Sequence, residues 1–401
     1  MKIQEVRTLT LQEFPNLVWV EIITDEGLVG TGETFFGAEE VAAYIHEAAS
    51  PYLLGKDPLQ IEKHWTELYG YYLRFAGVGT ETRAASAIDV ALWDLLGQAA
   101  NLPLYELLGG RTRNSITAYN TCAGYAYARR PIKGTLDNKE WFNIGQGPYE
   151  DLDAFLNRAD ELACSLVEEG FTAMKIWPFD EYATASDGNR ISLPDLNKGL
   201  EPFRKIRKAV GTKIEIALEF HSRWALTPAK RIAHAGEEFE PLWYEDPLRM
   251  DNLGVVADFA RSTRIPTISS ELISNKFNFA QLLEMHVLGY VMFDFGWVGG
   301  ISEARKIAAM ADAYHIPVAP HDCTGPINLT VGVHFGVSQP NAVLQEVVRA
   351  YFTTWFRDLV TDLPRLEKGQ LYPPERPGIG IALKPDLWKR ADARTRVSSH
   401  A

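Results

Sequence analysis

Residues 214–219 read Ile-Glu-Ile-Ala-Leu-Glu, a short apolar run that ends on an acidic side chain. Leu242-Trp-Tyr-Glu245 and Ile268-Ser-Ser-Glu271 repeat that ending further along the chain. From about residue 114 onward, such runs alternate with amphipathic helical patterns, which is typical of parallel βαβ units. The pattern therefore predicts an α/β fold with a parallel sheet.

Polar residues end seven of these runs, namely Lys175, Glu219, Glu245, Glu271, Asp294, His321 and Glu346. Successive steps from Glu219 to Glu346 measure 26, 26, 23, 27 and 25 residues. About 25 residues accommodate one strand, one helix and two loops. A barrel of such units collects the carboxyl ends of its strands at one mouth. A single charge after a strand usually begins a solvated loop, but seven in register predict one polar pocket.

The chain divides into a predicted α+β domain, residues 1–113, and a barrel domain, residues 114–362. In the first domain, strand patterns cover residues 3–11, 17–24 and 28–33, and helical patterns cover 38–50, 57–72 and 80–101. The expected barrel strands are residues 115–121, 173–177, 214–219, 242–245, 267–271, 290–294, 318–321 and 343–346. We expect a long loop from Tyr125 to Tyr149, and a Pro-rich tail, about 363–401, that returns to the first domain.

Composition restricts the class of protein. The formal net charge of -12 disfavours a nucleic-acid binder, which would carry a basic face. Three widely separated cysteines form no disulfide framework, and the first residues lack the apolar run of a signal peptide. No stretch reaches the roughly 18 apolar residues of a membrane span. We therefore expect a cytoplasmic protein that binds neither nucleic acid nor membrane.

Glu219, Glu245 and Glu271 end successive predicted strands, so their carboxylates are expected to meet. Three close carboxylates repel one another, and a hard divalent cation removes that cost. Oxygen ligands without Cys or His favour Mg²⁺, with Mn²⁺ next, over Zn²⁺. The adjacent Asp246 is expected to face the other side of its strand and to have a structural role.

Two histidines are candidates for proton transfer. In Glu219-Phe-His221, positions i and i+2 share one face of a strand, which predicts that His221 points into the mouth. Asp294 and His321 end neighbouring predicted strands and are expected to pair. Such a pair fixes the tautomer of the ring and raises its basicity, as a general base requires.

Taken together, these motifs resemble the enolase superfamily, specifically its mandelate racemase subgroup. Three phrases of the first domain are also similar to that family: Thr24-Asp-Glu-Gly-Leu-Val-Gly-Thr-Gly-Glu33, Ala87-Ile-Asp-Val-Ala-Leu-Trp-Asp94 and Leu107-Leu-Gly-Gly-Arg111. The resemblance implies a modified TIM barrel, (β/α)7β, with an N-terminal α+β capping domain, and often a homo-oligomer. It also implies removal of a proton next to a carboxylate, with Lys175 stabilising the enediolate and Glu346 protonated or hydrogen-bonded beside it.

One departure from the family pattern indicates the reaction. Racemases of this subgroup carry Lys-x-Lys on the second barrel strand, whereas this chain has Lys175-Ile-Trp177. An indole accepts no proton from carbon, so racemisation lacks one of its two bases. His221 instead resembles the acid of the gluconate and galactonate dehydratases, which protonates a departing 3-hydroxyl. The family more often has aspartate at the position of Glu219.

The resemblance therefore implies dehydration of an acid sugar, an aldonate, to a 2-keto-3-deoxy acid. In this reading His321 is the base, while Trp177, Arg223 and the Phe35-Phe36 segment are candidates to shape the substrate pocket or simply to pack. Two alternatives stay open. The first is an epimerase or cycloisomerase of the same superfamily, and the second is a non-catalytic binding protein built on the same barrel.

Overall fold

The computed structural model describes residues 1–71, 79–129 and 150–400 of the chain. Its strands, in chain order, are β1 (Ile3–Leu11), β2 (Phe14–Thr24), β3 (Val29–Phe35), β4 (Ile116–Thr121), β5 (Ala173–Ile176), β6 (Glu215–Glu219), β7 (Tyr244–Glu245), β8 (Thr267–Ser269), β9 (Tyr290–Val291), β10 (Gln345–Val347), β11 (Arg365–Glu367), β12 (Gln370–Tyr372) and β13 (Ala393–Ser399).

The helices, in chain order, are α1 (Ala38–Tyr44), α2 (Ser50–Leu53), α3 (Ile61–Tyr71), α4 (Thr80–Ala100), α5 (Leu104–Leu107), α6 (Asp151–Asn157), α7 (Ala159–Glu168), α8 (Asp180–Thr184), α9 (Leu193–Gly199), α10 (Glu201–Val210), α11 (Leu226–Gly236), α12 (Leu253–Ala260), α13 (Asn275–Glu284), α14 (Gly300–Ala313), α15 (Pro326–Ser338), α16 (Arg349–Thr353) and α17 (Phe356–Leu359). A π-helical turn, Ile45–Ala49, joins α1 to α2, so the single helix predicted over residues 38–50 is interrupted.

The first domain is an antiparallel sheet in the order β13-β1-β2-β3, with α4 packed across it. The close approach of α4 requires glycine in β3. A Cβ atom on Gly30 would lie 2.1 Å from the carbonyl oxygen of Ala91, and one on Gly32 would lie 1.9 Å from that of Ala87. The capping phrase Gly-Thr-Gly is therefore a packing motif for the long helix.

The second domain is a closed barrel. Strands β4 to β9 lie side by side in chain order, and β10 returns to pair in parallel with β4. Between β9 and β10, Val318 bridges to Val291 and Ala342, and His321 bridges to Asp294. These bridges complete a ring of eight strand positions. The predicted (β/α)7β barrel with an α+β cap is confirmed.

Several barrel strands are shorter than the sequence pattern predicted. Residues 290–294 contribute only Tyr290–Val291 to the regular ladder, and residues 318–321 form bridges alone. Hydrogen bonds from Met292 N to Ser269 O and from His321 N to Phe293 O nevertheless continue the pairing. The register is thus kept while the backbone turns out of the regular ladder at the mouth.

The C-terminal tail contacts both domains. Strands β11 and β12 form a hairpin whose second strand pairs antiparallel with the barrel strand β4. Strand β13 pairs instead with β1, along Glu5 to Leu11. The boundaries expected near residues 113 and 362 stay predictions. Most of the loop expected from Tyr125 to Tyr149 lies outside the described residues. Within the described ranges, no helix has the length and apolarity needed to cross a bilayer.

Candidate active site

Five polar side chains lie at the barrel mouth because side chains alternate along the strands. Ala173, Ala217, Trp243, Met292 and Ala319 form part of a buried apolar cluster inside the barrel. Because side chains on a strand alternate between its two faces, residues two positions later point the same way, one layer higher. Those residues are Lys175, Glu219, Glu245, Asp294 and His321, each at most 5% exposed. The apolar cluster is therefore the floor of a polar pocket.

Glu219, Glu245 and Glu271 bring one carboxylate oxygen each within 4.8 Å of one another. Glu219 and Glu245 end β6 and β7, whereas Glu271 lies two residues beyond the end of β8. Within the described part of the chain, Glu219 Oε2 is buried and accepts no hydrogen bond. An all-carboxylate donor set with an unsatisfied oxygen fits a hard divalent cation. Asp246 is outside this set, since its Oδ2 accepts from Ser270 Oγ at 2.8 Å.

The electrostatics of the cluster also favour a cation. Burial raises the pKa of Glu219 to about 7. Burial and the neighbouring Glu219 carboxylate raise the pKa of Glu245 well above its ordinary value. Burial, together with Glu271 and Glu245, raises the pKa of Asp246 to about 8. Such crowding of buried carboxylates opposes ionisation, and a bound divalent ion would remove the repulsion.

Lys175 joins the metal-ligand candidates to Glu346. Its Nζ forms an ion pair with Glu245 and lies 2.9 Å from Glu346 Oε1 and 3.5 Å from Glu219 Oε2. Burial lowers the pKa of Lys175, but the Glu245 and Glu346 carboxylates outweigh this effect and hold it well above its ordinary value. The ammonium group is therefore charged.

Glu346 is an ionised hydrogen-bond acceptor. Tyr119 and the Asp322 amide donate to Oε2 at 3.0 and 2.9 Å, and Thr121 donates to Oε1. Burial favours the neutral acid, yet Lys175 and His321 lower the pKa of Glu346 to about 2. These contacts favour the hydrogen-bonded state of the two that the resemblance implied.

His321 lies between two carboxylates. Its Nδ1 is 2.7 Å from Asp294 Oδ2, as the sequence predicted, and its Nε2 is 3.0 Å from Glu271 Oε2. Burial lowers the pKa of His321, but the charges of Glu271, Glu346 and Asp294 together hold it well above its ordinary value. Asp294 also accepts from the Gly296 amide at 2.7 Å, which fixes the carboxylate against the ring.

His221 reaches the pocket by a different route from the one predicted. Strand β6 ends at Glu219, and His221 follows it with a left-handed φ of 49°. Its amide donates to Glu219 Oε1 at 2.6 Å. A tight turn, and not strand alternation, therefore directs the ring toward the cavity. The expectation that both imidazoles face one cavity holds, while the i, i+2 reason given for His221 is wrong.

Asp180 is a site residue that the sequence patterns did not indicate. It is buried at the start of α8, and its Oδ2 lies 2.6 Å from His221 Nδ1 and 3.2 Å from Arg223 Nη1. Asp180 thus holds Nδ1 of His221, as Asp294 holds Nδ1 of His321. No spacing rule ties a residue of α8 to the end of β6, so only the fold could reveal it.

The polar groups surround one cavity of about 500 Å³ between the barrel mouth and the cap. Trp177 and Arg223 line it, and the Trp177 ring meets that of His221 edge-on at 5.4 Å. From the cap come Phe36 and Arg83, of which the sequence patterns singled out only the phenylalanine. The cavity has room for a small polar molecule, and acidic, basic and cationic side chains line it.

Family comparisons cover most of the chain. The family described as mandelate racemase / muconate lactonizing enzyme, N-terminal domain, matches residues 5–109. The family described as enolase C-terminal domain-like matches residues 158–387.

Individual relatives align over nearly their full length. A D-galactonate dehydratase of Pectobacterium atrosepticum is 31% identical, with 96% of this chain and 93% of the relative covered. A D-xylonate dehydratase of Haloferax volcanii is 30% identical over 96% and 87% of the two chains. A crystal structure of an enolase of the mandelate racemase subgroup from Agrobacterium tumefaciens is 45% identical, with a TM-score of 0.88 and coverage of 100% and 99%.

Proposed function

The chain belongs to the mandelate racemase / muconate lactonizing enzyme family of the enolase superfamily, and we propose that it dehydrates an aldonate-type acid sugar to a 2-keto-3-deoxy acid. Its named relatives are hydro-lyases, and the predicted membership of this superfamily, with similarity to acid-sugar dehydratases, is confirmed. The observation that carries the proposal is one cavity lined by His321, His221, Lys175 and Glu271, the last of which belongs to the three-carboxylate cluster.

We propose Mg²⁺ as the cofactor, with Mn²⁺ as a substitute, held by Glu219, Glu245 and Glu271. When bound, a divalent cation stabilises a substrate carboxylate more strongly as that group gains a second negative charge. The donor set supports this choice because it consists of carboxylate oxygens, without Cys or His. Lys175 adds a fixed positive charge beside the same oxygens.

His321 is the proposed base for the proton on C2. Asp294 holds its Nδ1, so Nε2 of the neutral ring is the nitrogen that accepts the proton, and Asp294 then stabilises the imidazolium. Nε2 also lies 3.0 Å from Glu271 Oε2, a carboxylate that the proposed cation would engage. The electron pair of the C2–H bond moves toward the carboxylate, where Lys175 stabilises the charge. Glu346 Oε1 lies 2.9 Å from Lys175 Nζ, and this ion pair helps to fix the position of the ammonium group.

His221 is the proposed acid for the leaving hydroxyl on C3. Asp180 holds its Nδ1, which leaves the Nε2 proton for the departing oxygen. The C3–O bond breaks, water leaves, and the resulting enol tautomerises to the 2-keto acid. Trp177 occupies the place of a second base, and its indole supplies none. This departure supports elimination over racemisation.

A direct test is a screen of five- and six-carbon aldonates and aldarates with the purified protein and Mg²⁺, with 2-keto-3-deoxy products detected by semicarbazide absorbance or mass spectrometry. We expect water loss from at least one aldonate, and no product after removal of the metal with a chelator. If all acid sugars, mono- and diacids, remain unchanged, the dehydratase proposal is wrong.

The same screen in deuterium oxide separates dehydration from epimerisation. Dehydration yields keto acid with solvent deuterium at C3 of the product. Recovered substrate that carries deuterium at C2 with inverted configuration, and no keto acid, would identify an epimerase instead.

A further inference from the structure

We propose that Arg83 binds an anionic group at the far end of the substrate, so that the enzyme selects a sugar diacid, an aldarate, over the aldonate of the same configuration. The inference deepens the proposed function and rests on it, because that function places the reacting carboxylate beside Lys175. The proposed chemistry at C1 to C3 is the same for an aldonate and an aldarate. Arg83 would contact only the group at the other end of the carbon chain.

The cations that line the cavity differ in whether they already have an anionic partner. Lys175 is held by Glu245 and Glu346, Arg223 contacts Asp180, and His321 lies between Asp294 and Glu271. Arg83 forms no ion pair with any described residue, and its Nε atom is buried without a hydrogen-bond partner there. Arg83 is therefore the lining cation whose charge is available to a ligand.

Arg83 enters the cavity from the cap, whereas Lys175 and the carboxylates rise from the barrel strands. Its guanidinium carbon lies 5.8 Å from the centre of the Trp297 ring, and that ring lies 5.2 Å from the ring of His321. One indole thus separates Arg83 from the proposed base. A substrate whose C1 and C2 lie at His321 and Lys175 would present its other end toward Arg83.

The backbone of Arg83 is fixed before any ligand binds. One turn later on α4, Ser86 Oγ accepts from the barrel amide of Gly299 at 2.9 Å. Two turns later, Asp89 accepts from the Ser302 amide at 3.0 Å. The helix is therefore anchored to the barrel directly beside the cavity. A rigidly presented guanidinium loses little conformational entropy when it binds an anion.

The chemistry of the pair favours a carboxylate. A guanidinium presents a planar array of donors that matches the two oxygens of a carboxylate. An aldonate ends in a hydroxymethyl group, which leaves the desolvated cation without a counter-charge. An aldarate ends in a second carboxylate and supplies one. In a chain with a net charge of -12, a local cation at the roof also offsets repulsion of a dianion.

Binding tests the inference apart from turnover. Isothermal titration with Mg²⁺ present would compare galactarate with galactonate, which differ only at C6, on a His321→Asn enzyme that does not consume them. We expect galactarate to bind roughly 10- to 100-fold more tightly, as for a hydrogen-bonded charge pair. We expect that preference to disappear in Arg83→Gln combined with His321→Asn. A xylarate and xylonate pair repeats the comparison for five carbons.

Arg305→Gln is the matched control, because Arg305 also lies over a tryptophan, Trp93 at 5.0 Å, and is not among the residues lining the cavity. It should keep the diacid preference. Equal binding of diacid and monoacid in both pairs, or a preference that survives in Arg83→Gln, would overturn the inference. Steady-state assays of the wild type report separately on the proposed function. Failure to dehydrate either acid, with the Arg83-dependent preference intact, would refute the reaction and not the anion site.

Discussion

At the scale of single residues, the site consists of two histidine–carboxylate pairs beside a carboxylate cluster. The pairs are His321 with Asp294 and His221 with Asp180, at 2.7 and 2.6 Å. Each carboxylate contacts Nδ1, so Nε2 is the nitrogen on the other side of each ring, and in His321 it also lies 3.0 Å from Glu271 Oε2. The proposed elimination needs one ring to accept a proton and another to donate one, and the two pairs would supply both.

His321→Asn should abolish dehydration and also the exchange of the C2 proton with deuterium. General bases contribute about 10²- to 10⁴-fold, so a loss of that order in kcat is expected. His234→Asn is a suitable control, because His234 is exposed, contacts the Ser262 carbonyl and is not among the residues that line the cavity. Continued C2 exchange in His321→Asn would place the base elsewhere.

Glu245→Gln should weaken Mg²⁺ binding by roughly tenfold or more, since the ligand loses its charge. Asp246→Asn is the matched comparison: its side chain is equally buried but bonds to Ser270 and lies outside the ligand set. We expect calorimetric titration to show a clearly smaller change in Mg²⁺ affinity for Asp246→Asn. Equal losses in the two variants would exclude Glu245 as a ligand.

The ends of the predicted strands and their roughly 25-residue spacing were sufficient to predict that the three candidate metal ligands lie close to Lys175, Asp294 and His321. Both rules follow from strand geometry and so can be read from sequence. Asp180 and Arg83 could not be predicted in this way. Each comes from a helix whose position depends on tertiary packing, and neither follows a strand pattern.

At the scale of elements, a cap carboxylate holds the start of a barrel helix. Glu33, at the end of the capping phrase, accepts from the amides of Ile327 and Asn328 in the first turn of α15 at 3.2 and 3.1 Å. Trp19 Nε1 donates to its other oxygen at 2.7 Å. Such contacts satisfy amides of the first helical turn that have no partner within the helix.

Glu33 should make stability depend on pH. Burial raises the pKa of Glu33 to about 8 from an ordinary value of 4.5. Because the pKa is higher in the folded state, the contribution of Glu33 to the free energy of unfolding is complete below pH 4.5 and is lost as pH rises through about 8. Melting temperatures across this range should fall more steeply for the wild type than for Glu33→Gln.

The size of the difference in melting temperature should be on the order of 2–4 °C per kcal/mol of lost stability. Glu33→Gln should also be less stable than the wild type near pH 6, since its amide places a donor opposite Trp19 Nε1. Glu238→Gln, an exposed change, serves as the control and should follow the wild-type slope. Parallel slopes for all three proteins would contradict this account.

At the scale of the whole molecule, buried carboxylates of the cap bind backbone amides that are distant in sequence, most of them outside the cap. Besides Glu33, Asp89 holds the Ser302 amide, and Asp94 holds those of Thr31 and Ile379 at 3.0 and 2.8 Å. The sequence phrases that resemble the family thus have a structural use distinct from catalysis. Sequence reasoning predicted the two-domain architecture but not these contacts, which join residues up to 295 positions apart.

Asp94→Ala should destabilise the protein by leaving two buried amides without acceptors, at about 1–3 kcal/mol each. Chemical denaturation would measure the loss, with the exposed Asp386→Ala as control. Mg²⁺ affinity should change little, because Asp94 lies outside the carboxylate cluster. A stability equal to that of the control would show that the Asp94 contacts contribute nothing measurable.

The pairing of β13 with β1 bears on how the protein is made. The ribosome translates the whole barrel before it reaches residues 393–399. Until then, β1 has no partner strand on one side, and the N-terminal sheet has an unpaired edge. Free strand edges invite pairing with other chains. The N-terminal domain, which is synthesised first, therefore completes its sheet only with the segment that is synthesised last. A mutation in β13 would thus impair the folding of the N-terminal sheet.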